Sequence, residues 1–285
     1  DIGGISLIRA AAKNYKDVVC VSSIEQYEQF LIDLDQNKGN FSLSKKKEYA
    51  TNSFKLSSNY DNQINNYLQN GKLDKKTKLR YGENPHQEGY FNGNLDEIFE
   101  KISGKNLSYN NLLDIDAAYN LMLEFWDDIP TFAILKHNNA CGVASRESIK
   151  DAYMDALSGD PVSAFGGVLI SNSEINKETA LEIKNLFCEV VMAPEFDDDA
   201  INILKEKKNR IILKLKRKKF DNKVIRTCLN GYLIQDRDLI TDSLDKLKYV
   251  TISKPNDTEL SDLLFASKIC CLLYTSDAAD EQWSV

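Results

Sequence analysis

The sequence predicts an α/β protein, and two observations support this prediction. Helix, strand and helix patterns alternate within the first 35 residues, which is typical of folds with parallel strands. Further along, three short apolar segments separated by helical patterns have the composition of buried strands: residues 168–171, 190–193 and 211–215. Between these two regions, the polar, lysine-rich residues 71–78 are the best candidate for a domain boundary.

The composition is that of a globular protein. The 285 residues include 42% hydrophobic and 28% charged side chains, with 36 basic and 43 acidic residues and a net charge of −7. This balance excludes an intrinsically disordered chain and argues against a dedicated nucleic-acid binder, which usually carries net positive charge. The chain opens at Asp1 without a methionine, so we expect it to be part of a longer protein.

Cysteine spacing and apolar runs indicate the compartment. The six cysteines are scattered and form no Cys-x-x-Cys pair, which argues against a disulfide framework and a structural zinc site. The longest apolar runs are far shorter than the roughly 18 residues that a membrane span needs. We therefore expect a cytoplasmic protein with reduced thiols and no contact with a membrane.

The N-terminal region predicts four elements in order. Apolar residues between Ile5 and Ala12 lie on one face of a helix, and residues 17–21 have the pattern of a short buried strand. Residues 22–25 resemble a capping box that starts a helix running to about residue 35. Residues 42–70 are helical throughout, with Ser42 or Ser44 as the N-cap and Gly71 as the stop.

The second region begins with a strand at residues 131–135 that runs into a loop-like segment, residues 136–142. An amphipathic helix follows at 147–157 and ends at Gly159, and the three apolar strands then alternate with two further helices, near residues 176–187 and 197–207. Residues 205–226 hold eleven lysines and arginines against two acids. A solvated face is the favoured interpretation of this run, and a binding patch is the alternative.

The first segment with candidate chemistry is residues 79–87, Leu-Arg-Tyr-Gly-Glu-Asn-Pro-His-Gln. Glycine and Asn-Pro favour an irregular backbone there. Arg80 offers a fork of donors suited to phosphate or carboxylate, although an arginine beside Tyr81 is more often part of a surface salt bridge. His86 is equally compatible with a functional role and with a turn residue bonded to backbone.

The second candidate segment, residues 136–143, follows a buried strand, and open α/β sheets bind their ligands at strand ends. His137 can accept a proton near neutral pH. The adjacent Lys136 can stabilise developing negative charge. A catalytic and a structural role are equally compatible with these two residues.

The third segment, residues 159–167, places Pro161 and the pair Gly166-Gly167 before a strand. Such a tight turn lets backbone approach a ligand closely. Phe165 would then either stack on a planar ring or, as is more usual for a single aromatic residue, fill the core.

Three other mechanisms fail or are disfavoured on the sequence. His86-Gln87-Glu88 resembles half of a zinc deaminase motif, but its Pro-Cys-x-x-Cys partner is absent. Cys141 lies only four residues from His137, unlike the long-range pairs of Cys–His hydrolases. Gly3-Gly4 is not followed by the Gly-Lys-Ser/Thr of a phosphate-binding P-loop.

Taken together, the three segments resemble the signatures of the PurH family of bifunctional purine-biosynthesis proteins, which join an IMP cyclohydrolase domain to an AICAR transformylase domain. Shorter segments agree with this family in order and spacing: residues 1–4, 7–14, 108–111, 193–194 and 235–238. Ala140 stands where many members have proline, a departure that could alter the rigidity of the loop.

The resemblance implies three divisions of the chain. Residues 1–74 correspond to the C-terminal part of the cyclohydrolase domain, which is methylglyoxal-synthase-like, and residues 75–270 to the first half of a cytidine-deaminase-like transformylase domain. Residues 271–285 do not match and form a foreign-looking tail. We therefore expect both active sites to be incomplete and this chain to be an inactive fragment of its parent protein.

The resemblance also implies a reaction and its participants. The family transfers a formyl group from the co-substrate 10-formyltetrahydrofolate to AICAR and closes the ring of the product, FAICAR, to give IMP. It uses no metal, and its transformylase site forms across a homodimer. The implied partners are thus small nucleotides and a second subunit, without nucleic acid.

Individual roles follow residue by residue from the resemblance. His137 matches the proton acceptor and Lys136 the group that stabilises the transition state, while Lys13 matches an active-site lysine for ring closure. The remaining matches are to nucleotide-binding positions: Asp1 and Ile2 in the cyclohydrolase part, and Arg80, Tyr81, Asn111, Gly166 and Glu189 in the transformylase part.

Overall fold

The computed structural model describes residues 3–70, 76–240 and 242–270. The chain forms two compact units, residues 1–75 and 76–285, and each is described by itself. Across the described ranges, no helix combines the length and the apolar character needed to cross a membrane.

The described part of the first unit consists of three α-helices, α1 (Gly3–Lys13), α2 (Tyr27–Gln36) and α3 (Leu43–Asn70). Helices α1 and α3 pack together, and Arg9 donates a hydrogen bond to Ser57 at 2.9 Å. Of the two predicted N-caps of α3, Ser42 accepts the Lys45 amide hydrogen bond at 3.2 Å, whereas Ser44 lies inside the helix. Gly71, the predicted stop, lies outside the described residues.

The predicted strand at residues 17–21 is wrong. These residues are irregular and exposed to half-buried, and no strand is found within residues 3–70. A run of β-branched residues becomes a strand only when a neighbouring strand accepts its backbone hydrogen bonds. The predicted capping box is displaced by one residue, because Gln26, rather than Glu25, accepts the amides of Ser22 and Ser23.

The second unit contains ten strands and five α-helices in its described ranges. In chain order they are β1 (Lys76–Lys78), β2 (Tyr90–Asn92), β3 (Phe99–Ser103), α4 (Tyr109–Leu123), β4 (Thr131–Lys136), β5 (Asn139–Ser145), α5 (Ile149–Gly159), β6 (Val168–Ser171), α6 (Lys177–Asn185), β7 (Val190–Ala193), α7 (Asp198–Lys205), β8 (Ile211–Leu215), β9 (Lys223–Cys228), β10 (Gly231–Asp236) and α8 (Asp257–Cys270).

Six of these strands form one mixed sheet in the order β3-β8-β7-β6-β4-β5. Strands β6, β7 and β8 are parallel, because helices α6 and α7 provide the crossovers between them. The other pairs are antiparallel, and β4 and β5 form a hairpin. The predicted α/β class is therefore confirmed, but parallel pairing holds only for the three strands that alternate with helices.

The sheet is buried on both faces. In β4, Phe132 and Ile134 join the core formed with α5, α6 and α7, whereas Ala133 and Leu135 join the core formed with α4. All four side chains are at most 2% exposed. Burial on both faces explains why the strands are continuous apolar runs rather than alternating ones.

The basic run at residues 205–226 does not form one face. It is distributed over the end of α7, the buried strand β8 and the exposed hairpin strand β9. Arg210 is only 3% exposed and donates to the Leu186 carbonyl at 2.9 Å. Four of its cations already have carboxylate partners: Lys214 with Glu195, Arg217 with Asp127, Lys218 with Glu97 and Lys223 with Asp236.

Candidate active site

A cleft of about 410 Å³ lies where β4 ends and β6, β7 and α4 begin. Six of the seven site residues predicted in this unit line it: Tyr81, Asn111, Lys136, His137, Gly166 and Glu189. The structure therefore brings together residues that are more than 100 positions apart in the sequence. The seventh, Arg80, adjoins Tyr81 at the rim.

The turn between β4 and β5 presents His137 to this cleft. Lys136 pairs with Asn139, which leaves only His137 and Asn138 to connect the strands, so the predicted loop is a two-residue hairpin turn. Both residues are left-handed, with φ of 52° and 68°, as a type I′ turn requires. A histidine with positive φ is unusual, and such strain is often found at functional sites.

Asp114 fixes this turn from the neighbouring helix. Its carboxylate oxygen Oδ1 accepts a hydrogen bond from the Asn138 amide at 2.9 Å. Burial raises the pKa of Asp114, while the Asn138 hydrogen bond and the charge of His137 act in the opposite direction. Asp114 is not among the site residues predicted from the sequence. It is revealed only by helix α4, which places it three residues after Asn111.

Lys136 is half-buried at the end of β4. Its charge helps to keep the pKa of Asp160 below the ordinary value, after the larger effect of the hydrogen bond with Ser163. Lys136 is therefore within electrostatic reach of the turn at residues 160–167, on the far side of the strand end.

Glu189, which precedes β7, is the anionic centre of the cleft. It accepts hydrogen bonds from Lys105 at 2.8 Å and from the side-chain amide of Asn111 at 3.1 Å. Burial would raise the pKa of Glu189, but these two hydrogen bonds and the charges of Lys105 and Arg80 outweigh burial and lower it. Glu189 is therefore ionised at neutral pH.

Asn111 connects Glu189 to the start of helix α4. Its backbone amide donates to the Ser108 hydroxyl and its side-chain oxygen accepts the Ser108 amide, both at 3.2 Å. This capping box sets the direction of the helix. The side chain of Asn111 is only 6% exposed, so its remaining donor is committed to Glu189.

Arg80 and Tyr81 form the rim of the cleft. The Arg80 guanidinium lies over the Tyr81 ring at 4.6 Å and donates to the Tyr81 hydroxyl at 2.7 Å. Within the described ranges Arg80 forms no ion pair, so the surface salt bridge considered from the sequence is not found. His86 is exposed, in a turn that is closed by the Gly82 amide and the Gln87 carbonyl at 2.7 Å.

The turn at residues 160–167 forms the opposite wall. Gly166 has a φ of 78° and donates its amide to the Phe187 carbonyl at 2.7 Å. Phe165 is 59% exposed, and its ring lies 5.1 Å from that of Phe187. The expectation that Phe165 fills the core is therefore wrong, because its exposed ring packs against the Phe187 ring.

The three remaining predicted site residues belong to the first unit. Lys13 is the last residue of α1 and is exposed. Asp1 and Ile2 lie outside the described residues. The described part of the chain contains no group of three histidine, cysteine or acidic side chains arranged to hold a metal ion.

A sheet covered by helices on both faces, with a lysine, a histidine and three carboxylates around a polar cleft at its strand ends, is typical of enzymes that act on small molecules. The sequence profile of the AICARFT/IMPCHase bienzyme family matches residues 11–278. The chain belongs to this family, which confirms the resemblance of the three motif segments.

Curated relatives agree with this assignment. The bifunctional purine biosynthesis protein PurH of Bacteroides thetaiotaomicron is 52% identical over 276 residues, which cover 94% of this chain and 54% of the relative. The proteins of the same name from Clostridium botulinum and Prochlorococcus marinus are each 40% identical, over 94% and 95% of this chain and 56% of their own length. The chain thus spans about half the length of these relatives.

Proposed function

We propose that the second unit carries the nucleotide cleft of a formyl transfer in IMP biosynthesis, from 10-formyltetrahydrofolate to the 5-amino group of AICAR. The observation that carries this proposal is the strained turn that presents His137, next to Lys136, to the same cleft as Asn111 and Glu189. Ring closure of FAICAR to IMP is assigned to the cyclohydrolase part of the protein, with Lys13, Asp1 and Ile2 as its residues in this chain.

The chemistry of the amine explains why a base is needed. Its lone pair is conjugated with the imidazole ring and the carboxamide, so the amine is a weak nucleophile. In the transfer, the amine nitrogen attacks the formyl carbon and His137 accepts the amine proton. The carbonyl electron pair moves onto oxygen, where the Lys136 ammonium stabilises it. Collapse breaks the bond to N10 of the folate, which leaves as tetrahydrofolate after taking up a proton.

The other residues of the cleft would bind the nucleotide. Arg80 is an exposed cation whose guanidinium lies over the Tyr81 ring, and its planar fork of donors suits a phosphate. Glu189 is ionised and can accept hydrogen bonds from hydroxyl or amino groups. The left-handed Gly166 lets backbone approach the ligand closely.

The finer architecture belongs to the same proposal. Residues 1–74 would be the C-terminal part of a methylglyoxal-synthase-like domain, and residues 75–270 the first half of a cytidine-deaminase-like domain. The proposed protein is cytoplasmic and homodimeric, and light scattering of the purified chain measures the second property directly. Residues 271–285, predicted to be an unmatched tail, lie outside the described residues.

Calorimetry of this chain with AICAR tests the proposal. We expect binding that weakens about 10-fold or more in Arg80→Ala, because a charge-assisted phosphate contact is worth about 1.5–3 kcal/mol. Arg146→Ala is the matched control, since Arg146 pairs with Asp155 on the surface at 2.6 Å, and it should leave the affinity unchanged. Absence of AICAR binding, or equal effects of the two variants, would contradict the proposal.

Turnover distinguishes catalysis from binding alone. The second candidate function is a nucleotide-binding module without catalysis, which the match to about half of each relative favours. Release of tetrahydrofolate by this chain, lost in His137→Ala with AICAR affinity largely kept, would establish catalysis. Tight AICAR binding without turnover would instead assign binding alone to this chain.

A further inference from the structure

The turn that carries His137 is held in an unfavourable conformation. Both of its residues lie in the left-handed region, where residues other than glycine lose roughly 1–2 kcal/mol each, and asparagine less. Within the residues that the structure describes, the buried Oδ1 atom of Asn138 has no hydrogen-bond partner that could stabilise this conformation. Besides the pairing of β4 with β5, which favours this turn type, a contact from outside the hairpin would help to hold the conformation.

Asp114 is placed to impose it. Its carboxylate accepts the Asn138 amide at 2.9 Å, and a hydrogen bond to a charged acceptor is among the stronger ones in proteins. Helix α4, which carries Asp114, is itself fixed by its capping box at Ser108 and by Ile115, which is buried in the core. Asp114 is thus a rigid anchor rather than a mobile surface residue.

We propose that Asp114 is a positioning residue: its carboxylate holds the His137–Asn138 turn in the left-handed conformation that presents the imidazole of His137 to the cleft. The functional part of this inference rests on the proposed role of His137 as proton acceptor. The structural part, in which the Asp114 carboxylate anchors the turn, is independent of the role of His137.

The charged groups around Asp114 define how its ionisation should behave. Lys136 and His137 line the cleft from the hairpin, Glu189 from the start of β7 and Glu83 from the 79–87 segment. Burial raises the pKa of Asp114 and the charge of Glu189 adds to this, against the Asn138 hydrogen bond and the charge of His137. Protonation removes the negative charge from the acceptor, so the anchor should weaken as the pH falls.

Nuclear magnetic resonance of the Asn138 amide tests the anchor without any ligand. Its chemical shift should titrate with a midpoint above the ordinary aspartate pKa of 3.8, and the transition should vanish in Asp114→Asn. The matched control is Asp116→Asn, on the same helix, since burial also raises the pKa of Asp116. A transition that persists in Asp114→Asn, or that is lost only in Asp116→Asn, would overturn the proposal.

Rescue separates positioning from general stability. In Asp114→Ala, the exchange protection of the Asn138 amide should fall about 10-fold or more, and the three-bond coupling that reports φ of His137 should change. Adding Asn138→Gly should restore that coupling, because glycine adopts positive φ without strain. If protection and coupling in Asp114→Ala match the wild type, or if glycine does not restore the coupling, Asp114 does not position the turn.

A final measurement connects the anchor to the ligand. The chain has only two histidines, so His86→Gln assigns the ring signals, and His86 serves as the internal reference. AICAR should shift the His137 ring signals in the wild type but not in Asp114→Ala. Calorimetry should show that the AICAR affinity of Asp114→Ala stays within about 3-fold of the wild-type affinity. Equal shifts in both proteins would refute the positioning role. Absence of AICAR binding to the wild type would refute the proposed function and leave the amide titration to decide on Asp114.

Discussion

Replacing Glu189 by alanine should destabilise the second unit by about 1–4 kcal/mol. The larger part comes from Asn111, which is 6% exposed and whose side-chain donor would lose its partner; an unsatisfied buried donor costs about 1–3 kcal/mol. The ion pair with Lys105 is partly exposed, with side-chain exposures of 24% and 34%, and adds at most about 1 kcal/mol. Most of the lost free energy of unfolding should therefore come from the broken hydrogen bond with the Asn111 amide and not from the broken ion pair with Lys105.

Urea unfolding followed by Trp126 fluorescence measures this loss. Trp126 packs 6.2 Å from the Tyr119 ring in the second unit, and Trp283→Phe removes the only other tryptophan. Glu182→Ala is a matched control, because Glu182 has the same 34% exposure and, within the described ranges, a single ion pair, with Lys150 at 3.4 Å. We expect the control to lose less than about 1 kcal/mol.

The stabilisation that Glu189 provides should depend on pH in a defined direction. Because the folded-state pKa of Glu189 lies below its ordinary value of 4.5, its stabilisation is fully present above pH 4.5 and is lost as the pH falls below that value. The difference in the free energy of unfolding between the wild type and Glu189→Ala should therefore shrink from pH 7 towards pH 3.5. A Lys105→Met variant that lowers the free energy of unfolding as much as Glu189→Ala does would refute this reasoning. So would a difference in free energy between wild type and Glu189→Ala that grows as the pH falls.

Three further substitutions, two of them paired with a control variant, test the fold of the second unit by the same urea assay. Gly142→Ala should cost about 1–3 kcal/mol by overpacking, since its Cβ would overlap the carbonyl of a residue in α5, whereas Gly231→Ala, with no atom closer than 4.0 Å, should be nearly neutral. Ser108→Ala and Ser148→Ala each remove an N-cap and should each cost about 1 kcal/mol, but only the first should weaken AICAR binding in calorimetry. His137→Gly should stabilise by up to about 1 kcal/mol, because relief of left-handed strain exceeds the backbone entropy cost of glycine; a destabilised variant would show that the turn is unstrained.

The sequence predicted those elements of the fold whose signal is local. Strands β6, β7 and β8 are short apolar runs between amphipathic helices, so their bounds could be derived before the structure. The segment at residues 17–21 has the same local pattern but no partner strand in the described first unit. Whether a β-prone run forms a strand depends on a neighbour that the local pattern does not encode.

The candidate site, like the fold, was predictable from the sequence only where the signal is local. The polar segment with Lys136 and His137 could be noted because it follows a predicted buried strand, but the roles of the two residues were implied only by the resemblance. The rule that ligands bind at the carboxyl ends of parallel strands does not explain the site, because β4 is antiparallel to β6 and the cleft lies at the starts of β6 and β7. The partnership of Asn111 with Glu189 spans 78 positions, and no periodicity relates the two. Such long-range contacts come from the order of strands in the sheet, which sequence patterns leave open.

The hairpin at residues 136–139 shows why a motif that looked like a loop in the sequence is a rigid part of the site. A loop of seven residues would have many conformations available, and the imidazole would lose entropy on each binding event. A two-residue turn between paired strands has very few conformations available. Its left-handed residues persist because the surrounding structure holds them there. A glycine would occupy this position without strain, so the stability given up at His137 supports the proposal that its imidazole acts in the cleft.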